Sequence, residues 1–236
     1  LEKFISGIIM FHETIKQSTT CKDKIPFARF LQDKEIIPGI KVDLGAKTLS
    51  GFSGEKITEG LDGLRERLQE YYELGARFAK WRAVITIGNG IPSDPCIVAN
   101  AHALARYASL CQEANIVPII EPEVLMNGIH TIDKCAQITN NTLRVVFEEL
   151  NNFNIMLEGI ILKPNMVISG LECEEQADID KVSEMTVKCL ITNVPKSVPG
   201  IAFLSGGQTS ELATAHLNCM NKNNLDSMPW NLTFSY

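Results

Sequence analysis

Basic residues are in the minority in this chain of 236 residues, where 22 Lys and Arg face 28 Asp and Glu for a net charge of −6. With no clustered positive face, nucleic acid is excluded as a partner. Long apolar runs are also lacking, so no membrane span is expected. Histidines number four and none falls at metal-ligand spacing, so no metal site is expected. The seven cysteines (Cys21, Cys96, Cys111, Cys135, Cys173, Cys189, Cys219) contain no Cys-x-x-Cys pair and are odd in number. They read as reduced, mostly buried thiols of a cytoplasmic protein. A glycine-rich dinucleotide fingerprint is missing as well, which argues against an open doubly wound sheet and its dinucleotide cofactor. No signal peptide is visible, but the first residue is Leu1, so the true start is expected to lie upstream.

What the chain does have is alternation. Apolar strands are predicted at 5–11, 36–42, 77–82, 116–120, 157–163 and 200–204, with a seventh from 232 to 236. Helices are predicted at about 58–74, 97–113, 132–151, 179–191 and 210–221. Residues 45–60 read as a long loop of the kind that carries function. Strands alternating with helices imply parallel pairing through right-handed crossovers, and continuously apolar strands imply cover on both faces. The expected architecture is α/β, a (β/α)8 TIM barrel formed as a single domain over 1–236. Such a barrel needs an eighth strand, so the chain is expected to be a fragment of a longer protein.

Chemistry-bearing residues gather at the strand ends, where barrel enzymes place their active sites. Lys163 closes an apolar strand and is followed by Pro164. Burial disfavours the charged form of an amine, and the neutral form is the one that attacks ketones and aldehydes. The alternative is a lysine that snorkels to solvent at a strand end. Side chains two apart share a strand face, which pairs Lys41 with Asp43 and Lys80 with Arg82. Glu121 closes the 116–120 strand and is a candidate proton carrier for imine formation and hydrolysis. Lys80 and Arg82 are expected as cationic neighbours of Lys163. So many charges at one mouth are costly unless function requires them. Ser205-Gly206-Gly207, between a strand and a helix, offers N–H groups and a hydroxyl to a phosphate, although such a run is often only a turn. His12 reads as structural, and Trp81, alternating with Lys80, should pack on the helical layer.

These stretches resemble class I fructose-bisphosphate aldolase. The carrying pieces are GIKVD (39–43), FAKWR (78–82), EPE (121–123), EGIILKPNM (158–166), FLSGGQ (203–208) and the closing PWNLTFSY, in family order along the whole chain. The resemblance implies a metal-independent lyase that reversibly cleaves fructose-1,6-bisphosphate to dihydroxyacetone phosphate and glyceraldehyde-3-phosphate. It implies that Lys163 forms the Schiff base and Glu121 is the acid/base glutamate. Glu123 orients the basic cluster, and Lys80 supports charge at the reacting centre. Lys41, Asp43 and Arg82 lie near the substrate and its 6-phosphate, and Ser205 and Gly206 form part of the 1-phosphate site. The family's first-strand aspartate, phosphate-clamping arginine and C-terminal tyrosine have no counterpart in these residues, which are expected to span about strands 2 to 8. The resemblance also implies a homotetramer and the binding of cytoskeletal or adhesin tails. A binding-only scaffold and another Schiff-base barrel such as a transaldolase are the alternatives. Retention of Lys163, Glu121 and Lys80 argues against the first, and FAKWR with the phosphate turn argues against the second.

Overall fold

The computed structural model describes residues 2–20, 22–224 and 228–236. Its chain runs β1 (Gly7–Met10), α1 (His12–Ile15), α2 (Phe27–Gln32), β2 (Ile37–Lys41), β3 (Ala46–Thr48), β4 (Lys56–Thr58) and α3 (Leu64–Glu73). It continues through β5 (Phe78–Ile85), α4 (Asp94–Glu113), β6 (Val117–Val124), α5 (Ile132–Asn152), β7 (Ile161–Leu162), α6 (Ile179–Asn193), β8 (Gly200–Phe203), α7 (Ser210–Asn224) and β9 (Asn231–Phe234). Seven strands form one sheet in the order β1-β2-β5-β6-β7-β8-β9, with every pairing parallel. The sheet curls, and its edge strands border a shared cleft of about 380 Å³ lined by residues 4–9 and 233–236. This is the wall of a (β/α)8 barrel.

The period of two along β5 sorts its side chains into layers. Ala79, Trp81, Ala83 and Ile85 are buried, and Trp81 stacks on Tyr107 of α4 with ring centroids 5.6 Å apart. Lys80 and Arg82 point to the other side, the inside of the curve. His12 is held by Tyr71, its Nδ1 2.8 Å from the phenol oxygen, as a structural histidine would be. Six cysteines are unpaired and four of them are buried, while Cys21 lies outside the described residues.

Four expectations need correction. Residues 45–60 are not only loop, because β3 and β4 pair as an antiparallel hairpin outside the main sheet. The helix predicted from residue 58 begins at Leu64, since Gly63 precedes it at φ 64°, a left-handed conformation that a helix interior excludes. The predicted strand 157–163 shrinks to Ile161–Leu162, because Leu157–Gly159 tightens into a 3-10 turn. In the other direction, β6 extends through Val124, so Glu121 and Glu123 lie within a strand rather than after one.

Candidate active site

Four neighbouring strands deliver the charged groups. Lys41 ends β2, Lys80 sits on β5 and Glu121 on β6, while Lys163 follows β7 directly and donates its N–H to the Ile120 carbonyl at 2.7 Å. The end of β2 is fixed by Arg67 of α3, whose guanidinium donates to the Val42 carbonyl at 2.9 Å and to that of Gly60.

The side chains form a continuous chain of opposite charges. Lys163 Nζ lies 2.8 Å from Glu121 Oε1, and Lys80 Nζ lies 3.2 Å from Glu121 Oε2. Lys80 Nζ is also 3.8 Å from Asp43 Oδ2, and Lys41 Nζ is 2.7 Å from Asp43 Oδ1. Lys80, Lys163, Glu121 and Asp43 are all buried. Three amines against two carboxylates leave one positive charge in a largely dry setting, which favours an anionic ligand.

Glu121 Oε2 is buried and, despite its ion-pair distance to Lys80, has no aligned hydrogen bond among the described residues. A buried acceptor left open in this way suits a proton that arrives only with a ligand. Asp43 differs. Its oxygens are taken by Lys41, by the Gly45 N–H at 3.1 Å and by the Arg82 N–H at 3.4 Å, so it braces Lys41 and Lys80.

Arg82 is not the cationic neighbour of Lys163 that its spacing suggested. Its Nε pairs with Glu123 Oε2, and about 44% of its side chain is exposed, nearer the rim. The Glu123 hydrogen bond holds its guanidinium still more firmly protonated. In Cα register Lys80 lies opposite Ile119 and Arg82 opposite Glu121, yet each cation reaches a carboxylate two positions further along β6. Two layers result, with the Lys163–Glu121–Lys80 set below and Arg82–Glu123 above.

Ser205, Gly206 and Gly207 follow β8, beside the Lys163 segment, because the Leu204 N–H donates to the Pro164 carbonyl at 3.3 Å. Gly206 and Gly207 have φ of 59° and 71°, and neither of their N–H groups finds a protein acceptor among the described residues. Such a turn presents free donors to an anion.

Gln208 sets its shape, donating Nε2 to the Ser205 carbonyl at 2.8 Å while its Oε1 lies 2.6 Å from His216 Nδ1. Burial pushes the His216 pKa down and keeps it neutral. Sequence reasoning gave Gln208, His216 and Asn165 no role. Gln208 and Asn165 stood inside quoted motifs, but only spatial contacts reveal their partners. Among the described residues, no cluster of His, Cys, Asp and Glu fits a metal ion, and no helix is long and apolar enough to cross a membrane.

Comparison with known proteins agrees with this geometry. The family described as fructose-bisphosphate aldolase class-I matches residues 1–236. A probable fructose-bisphosphate aldolase class 1 of Xanthomonas campestris pv. campestris is 61% identical over 100% of this chain and 70% of its own length. The cytosolic fructose-bisphosphate aldolase 5 of Arabidopsis thaliana is 52% identical over 98% of this chain and 64% of its own. A solved structure of the Plasmodium falciparum aldolase, in complex with TRAP and a small-molecule inhibitor, superposes with a TM-score of 0.95 at 48% identity. That match covers 100% of this chain and 67% of the other.

Proposed function

The chain belongs to the class-I fructose-bisphosphate aldolase family, and from that premise we propose how its own residues carry the reaction. The family's activity is that of a metal-independent lyase of glycolysis and gluconeogenesis, acting on a sugar phosphate. It reversibly cleaves fructose-1,6-bisphosphate to dihydroxyacetone phosphate and glyceraldehyde-3-phosphate.

Lys163 is the nucleophile in this proposal. Glu121, 2.8 Å away, accepts a proton from its ammonium, and the neutral amine adds to the C2 carbonyl of the open-chain sugar. Glu121 then returns a proton to the C2 hydroxyl, which leaves as water and gives a protonated imine. The C4 hydroxyl passes its proton to the Glu121 carboxylate and the C3–C4 bond breaks. The bonding electrons flow to the imine nitrogen, forming an enamine as glyceraldehyde-3-phosphate departs. Return of that proton from Glu121 to C3 and addition of water at C2 release dihydroxyacetone phosphate and restore the amine. Lys80 offsets negative charge developing at the substrate oxygens.

Ser205 and Gly206 hold the 1-phosphate, while Lys41 and Arg82 face the 6-phosphate end. Asp43 and Glu123 brace those cations. The buried Lys163–Glu121 contact is the observation that carries this reading. Its test is a coupled assay of triose phosphates released from fructose-1,6-bisphosphate in excess EDTA. Undiminished turnover is expected, and loss that added divalent metal restores would refute the imine route.

Residues 1–236 act as a single barrel domain in this reading, supported by the continuous order of the main sheet. A cytoplasmic location is proposed with it, supported by the cytosolic and cytoplasmic names of the Arabidopsis and spinach relatives. A homotetramer is likewise carried by the family resemblance. A second, non-catalytic reading is the binding of an adhesin or cytoskeletal tail, and the Plasmodium structure, a complex with TRAP, supports a protein-binding role. Such binding is expected to survive loss of Lys163.

A further inference from the structure

Strand β7 holds Lys163 in place with very little ladder. Only Ile161 and Leu162 pair with β6, opposite Ile119 and Ile120. The Lys163 N–H then reaches the Ile120 carbonyl, and the same edge of β6 next offers Pro122, which has no N–H to give. The ladder cannot continue there. Two residues further on, the Val124 N–H donates at 3.1 Å to a side chain, the Oδ1 of Asn165.

The other end of that amide is also engaged. Asn165 Nδ2 donates to Thr139 Oγ1 of α5 at 3.2 Å and to the Met166 carbonyl at 3.1 Å. The Val124 N–H can only donate, so it fixes which end of the amide is oxygen. Both Asn165 and Thr139 are buried. The three residues 163–165 are thus tied to β6 by the Lys163 N–H, to the end of β8 by the Pro164 carbonyl, and to β6 and α5 by Asn165.

We infer that Asn165 is a positioning residue for the reaction, its side chain engaging the Val124 N–H, the next donor on that edge of β6 after Pro122, and so setting Lys163 Nζ against Glu121. The inference rests on the proposed role of Lys163. Asn165 itself is enclosed with its amide fully used and acts through the lysine rather than on the sugar. Without it, no hydrogen bond among the described residues ties the chain after Lys163 to β6, and the amine is free to drift from the carboxylate that must take its proton. Misplacement of a reacting group by about 1 Å can cost on the order of 100-fold in rate.

The test compares Asn165→Ala, Asn165→Asp and Asn165→Leu by steady-state kinetics and by the rate at which borohydride traps the imine with dihydroxyacetone phosphate. Asn165→Ala is expected to lower kcat and the trapping rate together by about 10- to 100-fold, with KM changed less than about threefold. Asn165→Asp keeps an oxygen for the Val124 N–H and should recover most of the rate. Asn165→Leu restores volume alone and should not. Equal rescue by Leu and Asp would make the residue mere packing and overturn the inference, as would a folded Ala variant that traps at the wild-type rate.

If the Ala variant does not fold, Thr139→Val decides. A fall in trapping rate at unchanged KM supports the clamp, and an unchanged rate refutes it. Failure of the wild-type protein to trap at Lys163 would be a different result, overturning the nucleophile assignment rather than the clamp.

Discussion

Lys163→Arg is expected to reduce cleavage of fructose-1,6-bisphosphate by on the order of 10⁵-fold while leaving the protein folded. A guanidinium keeps the positive charge beside Glu121, so the buried carboxylate retains a partner on each side. It remains protonated at any working pH and forms no imine. Removing a nucleophile removes the covalent route entirely, and losses of that order follow in other covalent enzymes. Bisphosphate binding should change far less, because the turn after β8 is shaped by Gln208 and Arg82 is held by Glu123, neither through the Lys163 side chain. The measurement is kcat from the coupled assay beside equilibrium binding of the bisphosphate. A variant that retains even a tenth of wild-type kcat would show that another group does the chemistry.

The second large effect concerns Glu121, and it has two parts that different variants separate. Glu121→Gln fills the same space but carries no proton between Lys163 and the sugar. General acid–base catalysis of this kind is worth about 10²–10⁴-fold, and kcat should fall within that range. Glu121→Ala also removes the carboxylate that lies between two buried amines. Breaking a buried pair by deleting one partner costs about 3–5 kcal/mol, since the remaining charge stays desolvated. For a domain of this size that corresponds to a melting temperature lower by roughly 10 °C. Calorimetry on both variants, read beside their kcat, checks the two parts. Unchanged kcat in Glu121→Gln would remove Glu121 from the proton path, and an unchanged melting temperature in Glu121→Ala would show that water already screens the cluster.

Much of this site was legible in the sequence because strand geometry is simple. A period of two tells which of Lys80, Trp81 and Arg82 share a face, and Trp81 duly stacks on Tyr107 behind the sheet. Strand ends in an alternating α/β chain converge on one mouth, so Lys41, Lys80, Glu121 and Lys163 were recognisable as a group before any contact was known. The stagger between neighbouring strands was not legible. It lets Lys80 pass Ile119 to reach Glu121 and lets Arg82 pass Glu121 to reach Glu123, splitting one expected cluster into two layers.

The hairpin at Ala46–Thr48 and Lys56–Thr58 was missed because its short segments read as loop without their antiparallel partners. The truncation of β7 was missed for a related reason. An apolar run of strand length does not reveal that Leu157–Gly159 turns before pairing begins, nor that a side chain at Asn165 will take over from the backbone.

The central claim is that Lys163 bonds covalently to the substrate carbonyl. The measurement that tests it most directly is to add dihydroxyacetone phosphate to the protein, reduce with borohydride, and map the modified peptide by mass spectrometry. The account predicts one stable adduct on the peptide carrying Leu162-Lys163-Pro164, absent without reductant and absent in Lys163→Arg. An adduct on Lys41 or Lys80 instead, or no adduct while the phosphate still binds, would contradict it.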